Sequence, residues 1–256
     1  MHDKFAVFGR HVVWTGSANF TDDGFARNFE NIVIITSTEL ADGYRGEFDR
    51  MHRQRQFSTG KPTRQPLHVT TGDGVVQVAF SPNGGAEALI IDHLAAARTS
   101  VDVAAHEFTR TELAHALATA AVGGASVRVL YDDGHQRGDS VSAKVSLCIA
   151  GALVVEEESR GTLHHKYAII DWPTADGAPI ESDGGRPVVI TGSANWTGNG
   201  MTKNDENVMA VHNATVAARF ASDFEQLWDG PVYEQCRTFT LLPFVANAAV
   251  VMGARR

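Results

Sequence analysis

Cysteine is scarce here: Cys148 and Cys236 are the only two in 256 residues. That number excludes a multi-disulfide framework and any four-cysteine zinc site, and it reads both thiols as small buried hydrophobes. Long apolar runs are missing too. Phe239–Met252 is the longest candidate, and Pro243 and Asn247 interrupt it. It falls short of the ~18–20 residues of a membrane span. Positive charge is in deficit, with Lys+Arg 22 against Asp+Glu 30 and a net charge of −8. A dedicated nucleic-acid coat is usually basic, so the balance argues against one. It does not argue against an enzyme that handles a single phosphate. What remains is an ordinary globular composition, 43% apolar and 20% charged, on a chain long enough for a substantial core.

The chain repeats itself. Val12–Asn31 reads VVWTGSANFTDDGFARNFEN, and Val188–Asn207 reads VVITGSANWTGNGMTKNDEN. They lie 176 apart without gaps and share twelve of twenty positions. The same offset pairs Tyr44 with Phe220, Phe48 with Phe224 and Met51 with Leu227. Upstream, His2-Asp3-Lys4-Phe5-Ala6-Val7 matches His164-His165-Lys166-Tyr167-Ala168-Ile169 at offset 162. The 14-residue difference falls in the Pro/Gly/Asp-rich stretch Trp172–Pro187, read as a loop insertion.

The copies differ in length. Before His164 come a strand at Val75–Phe80, a helix at Ala86–Arg98, a strand at Val101–Ala105 and a helix at Thr111–Val122. A strand at Ser126–Tyr131, a helix at Ser140–Ala150 and a strand at Ala152–Val155 follow. His165–Asp171, Val188–Thr191 and Glu206–Val211 are further strands, and Thr215–Trp228 is a closing helix. Strands alternating with helices predict an α/β sandwich with a largely parallel sheet. Residues 1–57 read as the rear half of copy one, 58–73 as a linker, 74–230 as the complete copy two and 231–256 as a C-terminal tail. Copy one has only Met1 ahead of His2, where copy two has 89 residues between Val75 and Leu163. Two expectations follow: a shortened form of a longer two-copy protein, or a dimer in which two complete second copies face each other.

In a strand, residues two apart share a face. His164 therefore points with Lys166, Ser193 with Asn195, His2 with Lys4 and Ser17 with Asn19, while Asp171, seven from His164, faces away. Each set gains a glutamate, Glu30 or Glu206. Two such sets face to face would place a histidine on either side of a phosphodiester, one to attack phosphorus and one to protonate the departing oxygen. Lysine and asparagine donors suit the phosphate oxygens, and a glutamate can hold an imidazole Nδ1–H. No cofactor is needed for this, and no metal-site spacing is present.

HxKxxxxD at His164–Asp171 followed by GSAN at Gly192–Asn195, both echoed in copy one, resembles the phospholipase D superfamily. The resemblance implies an α-β-α sandwich with a pseudo-twofold tandem repeat. It implies a metal-independent phosphodiesterase that works through a phosphohistidine and hydrolyses phospholipids, with a membrane surface as the place to meet them. His2 would be the nucleophile and His164 the general acid and then base. Lys4, Lys166, Asn19 and Asn195 would bind the phosphate with support from Ser17 and Ser193, and Glu30 and Glu206 would orient the imidazoles. Asp171 belongs to the motif as a structural residue; Gly9 stands where copy one would carry its counterpart. A nuclease or phosphatidyltransferase (cardiolipin synthase-like) with the same histidines, or an inactive truncated remnant, are the alternatives. Head group and compartment, cytoplasmic or secreted, are not legible.

Other tempting residues take structural readings. His165 packs on the opposite face, and His93, His106 and His115 are core groups. Asp132-Asp133-Gly134 is a strand-end turn, Glu156–Glu158 a solvated turn, and Gly123-Gly124 a helix cap. Trp196 and Phe20 are core or pocket wall.

Overall fold

In the computed structural model the described residues are 1–132, 147–148, 150, 152–157, 161–173, 187–229 and 232–234. Copy one folds as β1 (Phe5–Phe8), β2 (Val12–Gly16), α1 (Asp22–Ala26), β3 (Ile32–Thr36) and α2 (Thr38–His52). Then come β4 (Leu67–Thr71), β5 (Gly74–Ser81), α3 (Ala86–Ala95), β6 (Ser100–Ala105), α4 (Thr111–Val122), β7 (Ser126–Asp132) and β8 (Leu153–Glu157). The chain continues through β9 (Lys166–Ile170), β10 (Val188–Gly192), α5 (Gly198–Thr202), β11 (Glu206–His212), α6 (Ala214–Trp228) and β12 (Val232–Glu234).

The strands form a three-stranded sheet, β1-β2-β3, and a nine-stranded one, β12-β8-β7-β6-β9-β10-β11-β5-β4. Only β6–β7 and β7–β8 pair in parallel; the other neighbours run antiparallel. The sheet is therefore mixed and mainly antiparallel, which corrects the parallel expectation. The change lies in β9, β10 and β11, which pair antiparallel with one another; among the described residues only the short α5 stands between β10 and β11. Two further expectations change. The connecting segment 58–73 contains β4, an edge strand hydrogen-bonded to β5, and Glu156 and Glu157 lie within β8 rather than in a turn. The 140–150 helix, the 172–187 insertion and the tail beyond Glu234 fall largely outside the described residues.

The repeat is visible in its local devices. Thr21 and Thr197 cap α1 and α5 by accepting from Gly24 N and Gly200 N, both at 3.1 Å. Ser37 and Asn213 cap α2 and α6 in the same way. Gly16 and Gly192 have φ +152° and +145°, and a Cβ there would lie 2.1 and 2.2 Å from the carbonyl oxygens of Asn31 and Asn207. Only glycine lets the backbones approach that closely. On one face of the large sheet α3 and α4 bury Leu89, Ile90, Leu94, Leu113 and Leu117 against Ile170, Ile190, Val208 and Ala210. Each such leucine contributes about 2 kcal/mol by burial. The other face meets α6, α2 and the small sheet, with Tyr167, Phe220 and Phe224 in one cluster and Leu40, Tyr44, Phe80 and Met209 in another.

Cys148 is disulfide-bonded, which corrects its reading as a free buried thiol. Cys236, the only other cysteine in the sequence, lies outside the described residues. His115 is exposed on α4 rather than in the core.

Among the described residues the small sheet has no counterpart of α3 and α4 over it. Ile34 is 66% exposed, whereas Ala210, its equivalent in copy two, is fully buried; Phe20 is 61% exposed and its equivalent Trp196 only 1%. Phe8, Phe25 and Ile32 are exposed as well, and their equivalents Ile170, Met201 and Val208 are core. Trp196 is thus core and Phe20 is not, which the sequence left open. An apolar patch beside an edge strand promotes self-association. Ile34→Lys is expected to change stability by no more than about 0.5 kcal/mol and to lower concentration-dependent association. Ala210→Lys, at the equivalent position, should prevent folding, because it buries an unpaired ammonium. Urea unfolding and sedimentation of the two variants side by side check this.

Candidate active site

The two histidine strands meet across the repeat interface within one chain. His2 Nδ1 lies 2.6 Å from Glu206 Oε1, and His164 Nδ1 lies 2.7 Å from Glu30 Oε1. The pairing is crossed: each glutamate serves the histidine of the other copy. Backbone bonds repeat the exchange, since His2 N donates to Asp205 O at 2.9 Å and His164 N to Phe29 O at 3.0 Å.

Each glutamate is fixed from behind. Ser17 Oγ donates to Glu30 Oε2 and Ser193 Oγ to Glu206 Oε2, both at 2.6 Å. The same hydroxyls accept from Asn31 N at 2.9 Å and Asn207 N at 3.0 Å. Both serines are completely buried. Each hydroxyl thus donates to a carboxylate and holds the glutamate in place. Asn31 and Asn207, which sequence reasoning missed, cross the interface as well: Asn31 Nδ2 donates to Thr191 Oγ1 at 2.6 Å, and Asn207 Oδ1 accepts from Thr15 Oγ1 at 3.0 Å. Their position directly after the motif glutamate, in both copies, was the available signal.

Lys4 Nζ donates to His2 O at 2.8 Å and lies 3.0 Å from His2 Nε2. Lys166 Nζ donates to His164 O at 2.7 Å. Both ammonium groups are buried. Burial, with Lys4 nearby, pushes Lys166 down to about 7, and burial also lowers Lys4. Burial is the main cause of the lowered pKa of His164, opposed by the contact with Glu30.

Of the middle residues of the two HxK triplets, His165 is buried and Asp3 half-buried. His165 contacts Asn31 Oδ1 at 3.3 Å and Asp223 at 3.3 Å, and burial pushes it down to about 3. Asp3 accepts from Asn207 Nδ2 at 2.8 Å. Burial pushes its carboxyl up to about 7, against the Asn207 hydrogen bond and with help from Glu206 and Glu47. Asp171 sits away from the reaction face with φ +55°, accepting from Arg98 N at 2.7 Å and Thr99 N at 2.8 Å.

Copy two adds residues that copy one lacks. The His106 ring lies 4.6 Å from the His164 ring, and Glu107 Oε2 accepts from Asn195 Nδ2 at 3.1 Å. Among the described residues Asn19 makes no such side-chain bond. His106 is buried, as read, with Nδ1 3.2 Å from Leu163 O, and it packs directly behind His164. Among the described residues no group of three or more His, Cys, Asp or Glu is disposed to hold a metal ion.

Comparison with known proteins agrees with this geometry. A family model described as "Cardiolipin synthase, PLD-like domain" matches residues 1–52 and 90–228. The chain belongs to the phospholipase D superfamily. It is 28% identical over 222 residues to the mitochondrial cardiolipin hydrolase of Chlamydomonas reinhardtii, covering 77% of this chain and 91% of that one. The human mitochondrial cardiolipin hydrolase is 30% identical over 138 residues, covering 53% and 48%. Nuc from Salmonella typhimurium, a phospholipase D family member, superposes with a TM-score of 0.54 at 28% identity, covering 62% of this chain and 98% of that one. The phosphatidylserine synthase of Haemophilus influenzae superposes with a TM-score of 0.62 at 13% identity, covering 92% and 63%, and shares the fold. The chain is a phospholipase D-like phosphodiesterase of α/β fold. No described helix is long and apolar enough to cross a membrane.

The Asp3 carboxyl gives a stability test. The folded chain keeps that proton up to about 7, whereas the group's ordinary value is 3.8. Folding stability should therefore fall as pH rises between those values and level off above them. Asp3→Asn is expected to remove this contribution and to be the more stable form above pH 7, as chemical denaturation across pH would show.

Proposed function

We propose that the repeats 1–57 and 74–230 jointly form a metal-independent site that hydrolyses phospholipid phosphodiesters through a phosphohistidine. The crossed His–Glu pairs carry this reading. A carboxylate on Nδ1 holds the proton there and turns Nε2 to the chemistry; on His2 that nitrogen accepts from the Lys4 ammonium at 3.0 Å, which a phosphate oxygen must draw away before attack. His2, whose side chain is 36% exposed against 9% for His164, is the nucleophile. Its Nε2 bonds to phosphorus, the P–O bond to the leaving alcohol breaks, and that oxygen takes a proton from His164 Nε2. His164 then removes a proton from water, the water oxygen bonds to phosphorus, and the P–N bond breaks, returning His2. Lys4, Lys166, Asn19 and Asn195 stabilise the charge on the remaining oxygens. Glu30, Glu206, Ser17 and Ser193 act as positioning residues. A phospholipid substrate is supported by the relatives named as cardiolipin hydrolases.

His164→Ala removes the leaving-group acid, which is worth about 10²–10⁴-fold for a poorly leaving alkoxide. The loss should be much smaller with p-nitrophenol as leaving group, and wild-type turnover should be unchanged in excess EDTA. Steady-state assays on a lipid and on bis(p-nitrophenyl) phosphate check both, and equal losses on the two substrates would refute the assignment. Lys166 binds phosphate only while protonated, so KM should rise as pH climbs through about 7. A pH series of KM at constant ionic strength measures this.

A further inference from the structure

Glu107 has no role in the chemistry just described, yet it is among the most firmly placed side chains around the site. Trp196 N donates to Glu107 O at 3.1 Å. Thr109 N and Arg110 N donate back to Trp196 O at 3.0 and 2.9 Å. The Phe108 ring packs edge-on against Trp196 at 5.4 Å. The loop from β6 to α4 is thus clamped onto the segment that carries Asn195, and Glu107 Oε2 reaches its amide.

This half-buried carboxylate has no ion-pair partner among the described residues. Lys166 is the cation that feels its charge, but its ammonium is bonded to the His164 carbonyl. The neighbouring Arg110 is committed to Glu87 at 2.6 Å and Glu112 at 3.1 Å. A fixed, uncompensated negative charge therefore stands beside a site whose ligand is an anion. Among the described residues it also stands on one side only, because none of them places such a loop over the copy-one segment after Asn19. The neighbouring His106 packs on His164, so the carboxylate lies on the side of the histidine that protonates the leaving alcohol.

We propose that Glu107 is a specificity-determining residue that reads the charge of the leaving group: it favours an alcohol bearing a cationic amine and disfavours one bearing a second phosphate. The proposal rests on the phosphodiesterase reading above and refines its substrate class. A carboxylate and an ammonium attract across a partly shielded site, whereas a second phosphate would be desolvated against a like charge. On this account the chain differs in preference from relatives named for cardiolipin, whose leaving group carries another phosphate.

The test is kcat/KM of the full chain on phosphatidylethanolamine, phosphatidylglycerol and cardiolipin, each dilute in uncharged detergent micelles. Wild type is expected to prefer phosphatidylethanolamine over cardiolipin by about tenfold, with phosphatidylglycerol between them. Glu107→Gln keeps an acceptor for Asn195 and removes the charge; it should bring the three rates within about threefold, and Glu107→Lys should invert the order. A residue that merely positioned Asn195 would scale all three substrates together. The wild-type preference should also shrink as salt is raised, from about 0.05 to about 0.5 M, a measurement that needs no variant. A wild-type preference for cardiolipin, or a ratio unmoved by both substitutions and by salt, overturns the proposal while leaving the phosphodiesterase reading intact. Failure of wild type to hydrolyse bis(p-nitrophenyl) phosphate as well would overturn that reading, and the proposal with it.

Discussion

Glu30 and Glu206 each sit in one repeat and compensate a histidine in the other. Both are buried, and a buried carboxylate without a partner is too costly to persist. The crossing therefore does two things at once. It aims two imidazoles at a shared space, and it makes each repeat supply what the other cannot leave unsatisfied. Ser17, Ser193, Asn31 and Asn207 extend the same exchange into the layer behind. Phosphate chemistry between two histidines depends on their separation and mutual orientation, and here one set of contacts fixes both.

The repeats are equivalent at this interface and unequal away from it. Copy two carries a β-α-β-α-β front that seals one face of its sheet and brings the β6–α4 loop over Asn195. Copy one presents the same sheet face open. Apolar residues at matched positions end up buried in one copy and solvated in the other. Burial here is a property of what a repeat is packed against rather than of its own sequence. One-sidedness also gives the site a direction, since among the described residues only Asn195 of the two motif asparagines bonds a carboxylate.

Much of this was legible in the sequence. The 176-residue offset exposed the repeat, and strand parity put His, Lys and Asn on one face and Asp171 on the other. Strand direction was misjudged because helix–strand alternation dominates residues 74–157, while the hairpins β9-β10-β11 come later. The bonds from the serines to the glutamates were not legible, because parity locates a face but not the depth of a short side chain on it. The crossing of the glutamates was invisible, since an internal repeat is equally compatible with pairing within a copy or between copies. Glu107 and His106 belong to a loop with no counterpart in copy one, so the repeat could not single them out. Cys148 read as a hydrophobe because two cysteines carry no spacing pattern from which pairing can be inferred.

The connecting segment was read as a tether, but Lys61 makes it a rivet. Its buried ammonium reaches Glu47 of copy one at 2.7 Å, Asp205 of copy two at 3.0 Å and the Ser81 carbonyl at 2.7 Å. Asp205 immediately precedes the glutamate that holds His2. Continuity of the polypeptide between the repeats is therefore not what keeps them in register. A chain nicked between Lys61 and the start of β4 would retain this three-way contact, the crossed pairs and the packed helices. The joining segment is therefore part of the interface itself, a buried cation shared between a carboxylate of each repeat.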